Sequence, residues 1–248
     1  MPDKVIKDIR LYESDWENVA GQSLPSDLGR IYQVDKKNLA GLTQRFARKL
    51  HELGFSVPVY DHVYVNMTTF LPPGKAIVST RRSEKWLVYV DVGVSPEELL
   101  NLSREAEYEK VTRIIVKALK ALCERDNLDY DLVKKVETLV LRDKEKLEVI
   151  YQTKETSKYL ITLSFQIFPP PNKSPVFIEC FDKVENKKGK VKLIDLTFFD
   201  DIYPLISSVN IKKGFVEMKP RASFKAGLDA NRYKVPLSIS LDSVLKGN

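Results

Sequence analysis

The order of apolar and polar positions changes period several times along the chain, and each change marks an element. Ile9 and Leu11 alternate with polar neighbours, as in a strand, and Gly21, Pro25 and Gly29 then punctuate a loop. From Asn38 the spacing becomes three and four: Leu39, Leu42, Phe46, Leu50 and Leu53 share one helical face, with Gly54 as the stop. On that helix Arg45, Arg48 and Lys49 are expected to point mostly to water. Val63, Val65 and Met67, then Ala76 to Thr80, then Trp86, Val88, Val90 and Val92 read as three strands. The turn Leu71-Pro72-Pro73-Gly74 separates the first two, and the spacing predicts an antiparallel meander. Ser95-Pro96-Glu97-Glu98 has the form of a capping box, and Val111, Ile114, Ile115, Ala118, Leu119 and Leu122 form an amphipathic helix. The charged stretch before it predicts a break or restart near Ser103.

The second half follows a similar plan. Tyr130, Val133, Val136, Leu139 and Val140 predict a helix; Leu147, Val149 and Tyr151, then Tyr159 to Ile167, predict strands. Strands Val176 to Phe181 and Val191 to Phe199 flank the hairpin connection Glu185 to Gly189, which would set Cys180 near Asp195. Short strands follow near Val209 to Met218 and Lys234 to Ser240, the last at a sheet edge because of Pro236. The stretch Phe70 to Val78 resembles Phe168 to Val176 in layout, which suggests a duplicated helix-plus-meander unit. The expected architecture is α+β, antiparallel sheets with helices packed on one face, in units 1–125 and 126–248.

Composition narrows the chemistry. The chain has 248 residues with two His, two Cys and a formal net charge of +6. A three-His zinc site cannot be built from His51 and His62 alone. Cys123 and Cys180 lack the close spacing of a redox or zinc motif and read as buried thiols. No basic start leads into a long apolar run and no stretch approaches about 20 apolar residues, so a soluble, cytosolic protein is expected.

The charge is unevenly placed. Residues 183–234 hold twelve Lys and Arg against six Asp and Glu, and the rest of the chain balances. Lys187, Lys188, Lys190, Lys212, Lys213, Arg221, Lys225 and Arg232 are therefore the candidate partner-binding residues. Phe198, Phe199, Tyr203, Phe215, Phe224 and Tyr233 interleave with the cations, as stacking and phosphate contacts to a nucleic acid would require. The same charges suit an acidic protein surface. Glu179, Asp182, Asp195, Asp200 and Asp201 offer oxygen ligands of the kind a metal-dependent hydrolase uses. A nucleophile-elbow setting and phosphate-cradling glycine patterns are absent from the sequence, and no cofactor is expected.

The segment His62 to Cys123 contains Val63-Tyr64-Val65-Asn66-Met67-Thr68 with Leu71-Pro72-Pro73-Gly74, then Tyr89-Val90-Asp91-Val92-Gly93-Val94-Ser95-Pro96-Glu97-Glu98, then a charged helix. It resembles bacterial immunity proteins of polymorphic-toxin and contact-dependent inhibition systems. The resemblance implies a non-enzymatic cytosolic protein that binds a toxin domain and blocks its active site. Nucleic-acid binding through residues 183–234 is the alternative reading, and a metal-dependent hydrolase the third.

Overall fold

The computed structural model describes residues 4–81 and 84–247. The fold is α+β, and the chain divides into two compact units, Met1–Leu147 and Glu148–Asn248.

In the first unit the chain runs through β1 (Lys4–Val5), β2 (Asp8–Ser14), β3 (Ser26–Asp27), α1 (Lys36–Glu52), β4 (Ser56–Val57), β5 (His62–Thr68), β6 (Ala76–Val78), β7 (Leu87–Gly93), α2 (Arg104–Asp126) and α3 (Tyr130–Asp143). Five of these strands form a sheet in the order β3-β2-β5-β7-β6. The central pairs, β2 with β5 and β5 with β7, are parallel, and β6 lies antiparallel on the outer side of β7. The meander expected over 62–92 is thereby corrected. Alternation fixes which residues share a face but not strand direction, and the connection through β6 crosses β7 before returning.

Val63, Val65 and Met67 meet Leu39, Leu42, Phe46 and Leu50 of α1 and Ile115 and Leu119 of α2 in one core. Asp35 caps α1 by accepting from the Lys37 and Asn38 amides, and Ser103 caps α2 by accepting from Ala106. The capping box at Ser95 forms but opens only a short 3-10 turn, Pro96–Glu98, so the restart at Ser103 is as the charge pattern suggested. α3 contributes Val133, Val136 and Val140, all fully buried, to the same core. Its place is thus in the first unit, and the division falls after Leu147 instead of after residue 125. With α3 packed on its outer side, α1 is enclosed: Arg45 is 1% exposed and Lys49 is buried beside Glu52, at 2.8 Å, rather than pointing to water.

The second unit begins with β8 (Glu148–Glu155), β9 (Tyr159–Gln166), β10 (Ser174–Asp182) and β11 (Lys187–Leu196), an antiparallel sheet in chain order. Then come α4 (Ile202–Leu205), β12 (Ser208–Lys212), β13 (Phe215–Lys219), α5 (Phe224–Ala230), β14 (Leu237–Ser240) and α6 (Leu241–Lys246). The last three strands form a small sheet with β14 at its edge, as Pro236 implied. Ile161, Leu163 and Phe165 of β9 and Ile178 and Cys180 of β10 centre the core, which Leu205, Met218 and Val244 complete. The β10–β11 register pairs Cys180 with Gly189 and Pro175 with Asp195, so Asp195 lies at the opposite end of the hairpin from Cys180. This unit is a meander and the first is not, which removes the structural basis for a duplication.

Candidate functional site

The basic window resolves into cations that the fold already uses and cations left at the surface. On β11, Lys188 pairs with Glu179 at 3.0 Å, Lys190 with Glu148 at 2.6 Å and Lys192 with Asp195 at 2.9 Å. Lys190 also lies 4.9 Å from the Phe177 ring centroid. Arg232 bridges Asp201 and Asp229, each at 3.1 Å, and its guanidinium covers Phe198. These side chains tie sheet and loops together. By contrast, Lys187, Lys212, Lys213, Arg221 and Lys225 are exposed and form no ion pair among the described residues.

Two of the free cations flank an apolar knob. Residues 220–223 are anchored where the Arg221 amide donates to the Pro204 carbonyl at 2.8 Å. Ser223 then caps α5 by accepting from Ala226, and Ala226 and Ala230 face the core. Because α5 buries those two positions, Phe224 and Leu228, four residues apart, share the outer face, 85% and 56% exposed. A side chain at Gly227 would meet nothing within 4 Å, so this outer face is open. Arg221 sits beside the paired rings of Tyr151 and Tyr203, whose centroids are 5.5 Å apart. Burial pushes the Tyr151 phenol above its ordinary range, and Arg221 opposes that push. The result is an aromatic and aliphatic surface, Tyr203, Phe224 and Leu228, edged by Arg221 and Lys225. Apolar centres with polar rims are the composition of protein-recognition patches.

Lys212 and Lys213 occupy the β12–β13 turn, where Lys213 and Gly214 both take positive φ, +48° and +78°. Phe215 follows, 47% exposed.

The carboxylates considered as metal ligands do not converge. Asp182 accepts from the amides of Val184 and Glu185, which pull its carboxyl below the ordinary range, the Glu185 amide most strongly. Asp201 is buried and accepts from the Tyr233 hydroxyl at 2.5 Å and from the Phe198 amide at 3.2 Å. Among the described residues no group of three His, Cys, Asp or Glu side chains is placed to hold a metal ion. Both thiols are buried, and burial raises each to about 11, which keeps them protonated and unreactive at neutral pH. His62 lies 2.7 Å from Asp61 against the edge of Trp86, and burial lowers His51 below its usual value.

The first unit holds a buried polar network that hydrophobic patterning could not reveal. At the carboxyl ends of the parallel strands, Asp91 accepts from Asn66 at 2.7 Å and from Asn18 at 3.0 Å, and Asn66 also donates to Ser14 at 2.9 Å. Arg81 donates to the Asn18 side chain at 2.6 Å and to the Gln22 and Ser23 carbonyls. Burial holds the Asp91 carboxyl above the ordinary carboxylate range. The network fastens the loop after β2 across the sheet, and no imidazole takes part in it.

α5 itself carries a sequence signal that charge counting overlooks: Ser223 as cap, with Phe224 and Leu228 at helical spacing and two alanines between and after them. Among the described residues no helix is long and apolar enough to cross a membrane. The chain matches no protein-family model, no curated protein and no solved structure.

Proposed function

We propose that this chain is a non-enzymatic protein-binding protein that docks an acidic partner on the α5 surface. The observation that carries the reading is the pair Phe224 and Leu228, exposed on one helical face between the unpaired cations Arg221 and Lys225. Burying those two side chains against a partner removes apolar area worth about 1.5–3 kcal/mol per residue from water, while the cations select an acidic rim. A toxin domain is the partner class that the resemblance of residues 62–123 suggests, which makes the chain an immunity protein. The test is co-expression with a toxin-like domain encoded beside this chain. Protection of the cell and co-purification are the expected result; a toxic neighbour left unneutralised and unbound overturns the reading.

A second reading, nucleic-acid binding, is favoured by Lys212 and Lys213 beside exposed Phe215. It requires retention on single-stranded RNA or DNA at low salt, with affinity falling steeply as salt rises. Replacement of both lysines by Glu should then abolish retention.

A further inference from the structure

The first unit contains a cavity of about 270 Å³ between α2 and the carboxyl end of β7, remote in sequence from α5 and independent of the function proposed for it. Its walls come from two sources. The turn Leu71 to Lys75 presses onto β7: the Gly74 amide donates to the Gly93 carbonyl and the Gly93 amide to the Lys75 carbonyl, both at 2.8 Å. This approach requires glycine at 93, since a Cβ there would lie 2.0 Å from the Pro72 carbonyl oxygen. The opposite wall is α2, where Lys110, Arg113 and Lys117, at i, i+3 and i+7, share the face turned to the cavity, with Ile114 buried among them.

The charges within this cavity do not cancel. Lys110 is hydrogen-bonded to Glu98, the one carboxylate in the lining. Arg113 and Lys117 form no ion pair among the described residues. Lys117 folds back over the turn, so that a Cβ on Gly74 would lie 3.2 Å from its ammonium nitrogen. Two uncompensated cations therefore border a concave, partly apolar space formed with Val92 and Val94. In such a space the field of fixed cations is concentrated rather than dispersed into water. A guanidinium beside an ammonium matches a phosphate group, the first by its planar fork and the second as a point charge.

We propose that this cavity binds the phosphate group of a small molecule through Arg113 and Lys117. Its volume exceeds that of a lone anion, given about 30 Å³ per water, so a small organic phosphate is accommodated with its apolar part against Val92, Val94 and Ile114.

The experiment is a titration of the isotope-labelled full chain with inorganic phosphate, and separately with pyrophosphate, followed by amide NMR shifts against chloride of matched ionic strength. Saturable shifts at residues 74, 93 and 110–117 are expected. The double variant Arg113→Gln/Lys117→Gln should weaken binding at least tenfold with an unchanged melting temperature, since both side chains are exposed. Glu98→Gln, which keeps an acceptor for the Ser95 amide, should tighten binding severalfold by removing the competing carboxylate. Lys212→Gln/Lys213→Gln should leave these shifts unchanged. Shifts that fail to saturate, that chloride reproduces, or that the Lys212 and Lys213 variant abolishes equally overturn the proposal.

Discussion

The two units differ in where most of their charge lies. The first holds 24 Lys and Arg against 23 Asp and Glu, and takes charged groups inside: Glu13, Arg45, Lys49 and Asp91 are all buried. The second holds 16 against 11, and sets its surplus outside, next to exposed Phe224, Leu228 and Phe215. Buried charge must be paired or hydrogen-bonded and so specifies one packing; surface charge costs little and stays available to a partner. The first unit is built around internal polar latches, and the second leaves its surplus cations at the surface, where the proposed docking falls.

The largest effect concerns where the first unit ends. A chain of residues 1–147 is expected to unfold cooperatively in urea, whereas 1–125 should not, since it lacks the buried Val133, Val136 and Val140 of α3. A cooperative transition in the shorter chain would return α3 to the second unit. Next in size is Glu13. Its carboxylate, completely buried, accepts from the amides of Gly29, Arg30, Ile31 and Tyr32 at 2.7–3.1 Å. Glu13→Ala leaves those donors without their acceptor and is expected to cost about 3 kcal/mol or more in denaturant unfolding. A loss below about 1 kcal/mol would show that water replaces the latch.

Smaller and opposite in sign is Asp91. Burial raises its folded-state pKa above the unfolded value near 3.8, so the carboxyl favours folding while protonated and loses that contribution as pH rises through the raised pKa. Asp91→Asn, which can still accept from Asn18 and Asn66, should match the parent near pH 3 and become progressively more stable than it toward neutral pH. Thermal melts of both proteins across that range check the sign, and a gap that shrinks as pH rises contradicts it. The smallest effect belongs to the second unit's surface. Lys190→Ala removes a half-exposed pair with Glu148 and should cost no more than about 1 kcal/mol, which chemical unfolding at two salt concentrations can resolve.

Hydrophobic period made most elements legible, because helices and strands must turn one face to the core: α1, α2, α3 and β8 to β11 follow from it, while the capping box follows from Ser95 and Glu98 and the edge strand β14 from Pro236. Direction and depth were not. Nothing in Val63-Tyr64-Val65 distinguishes parallel from antiparallel pairing, and the run Arg45 to Lys49 looks solvent-facing until α3 covers it. The short helices α4 and α6 carry too few turns for a periodic signal, and α5 offers only the single spacing from Phe224 to Leu228. At the candidate surface, counting charge cannot separate the cations the fold leaves unpaired from Lys188, Lys190 and Arg232, which it pairs. Their partners Glu179, Glu148 and Asp201 come from elsewhere in the chain and become visible only through the fold. Leu228 makes only one helical spacing, to Phe224, and its meaning depends on α5 presenting both on one exposed face.

Phe224 and Leu228 are the centre of the proposed docking surface. The double variant Phe224→Asp/Leu228→Asp should keep the parent's melting temperature, since neither side chain packs in the core. Its affinity for a toxin-like domain encoded beside this chain, measured by titration calorimetry, should fall at least a hundredfold. A folded variant that binds with undiminished affinity contradicts the assignment of the α5 surface.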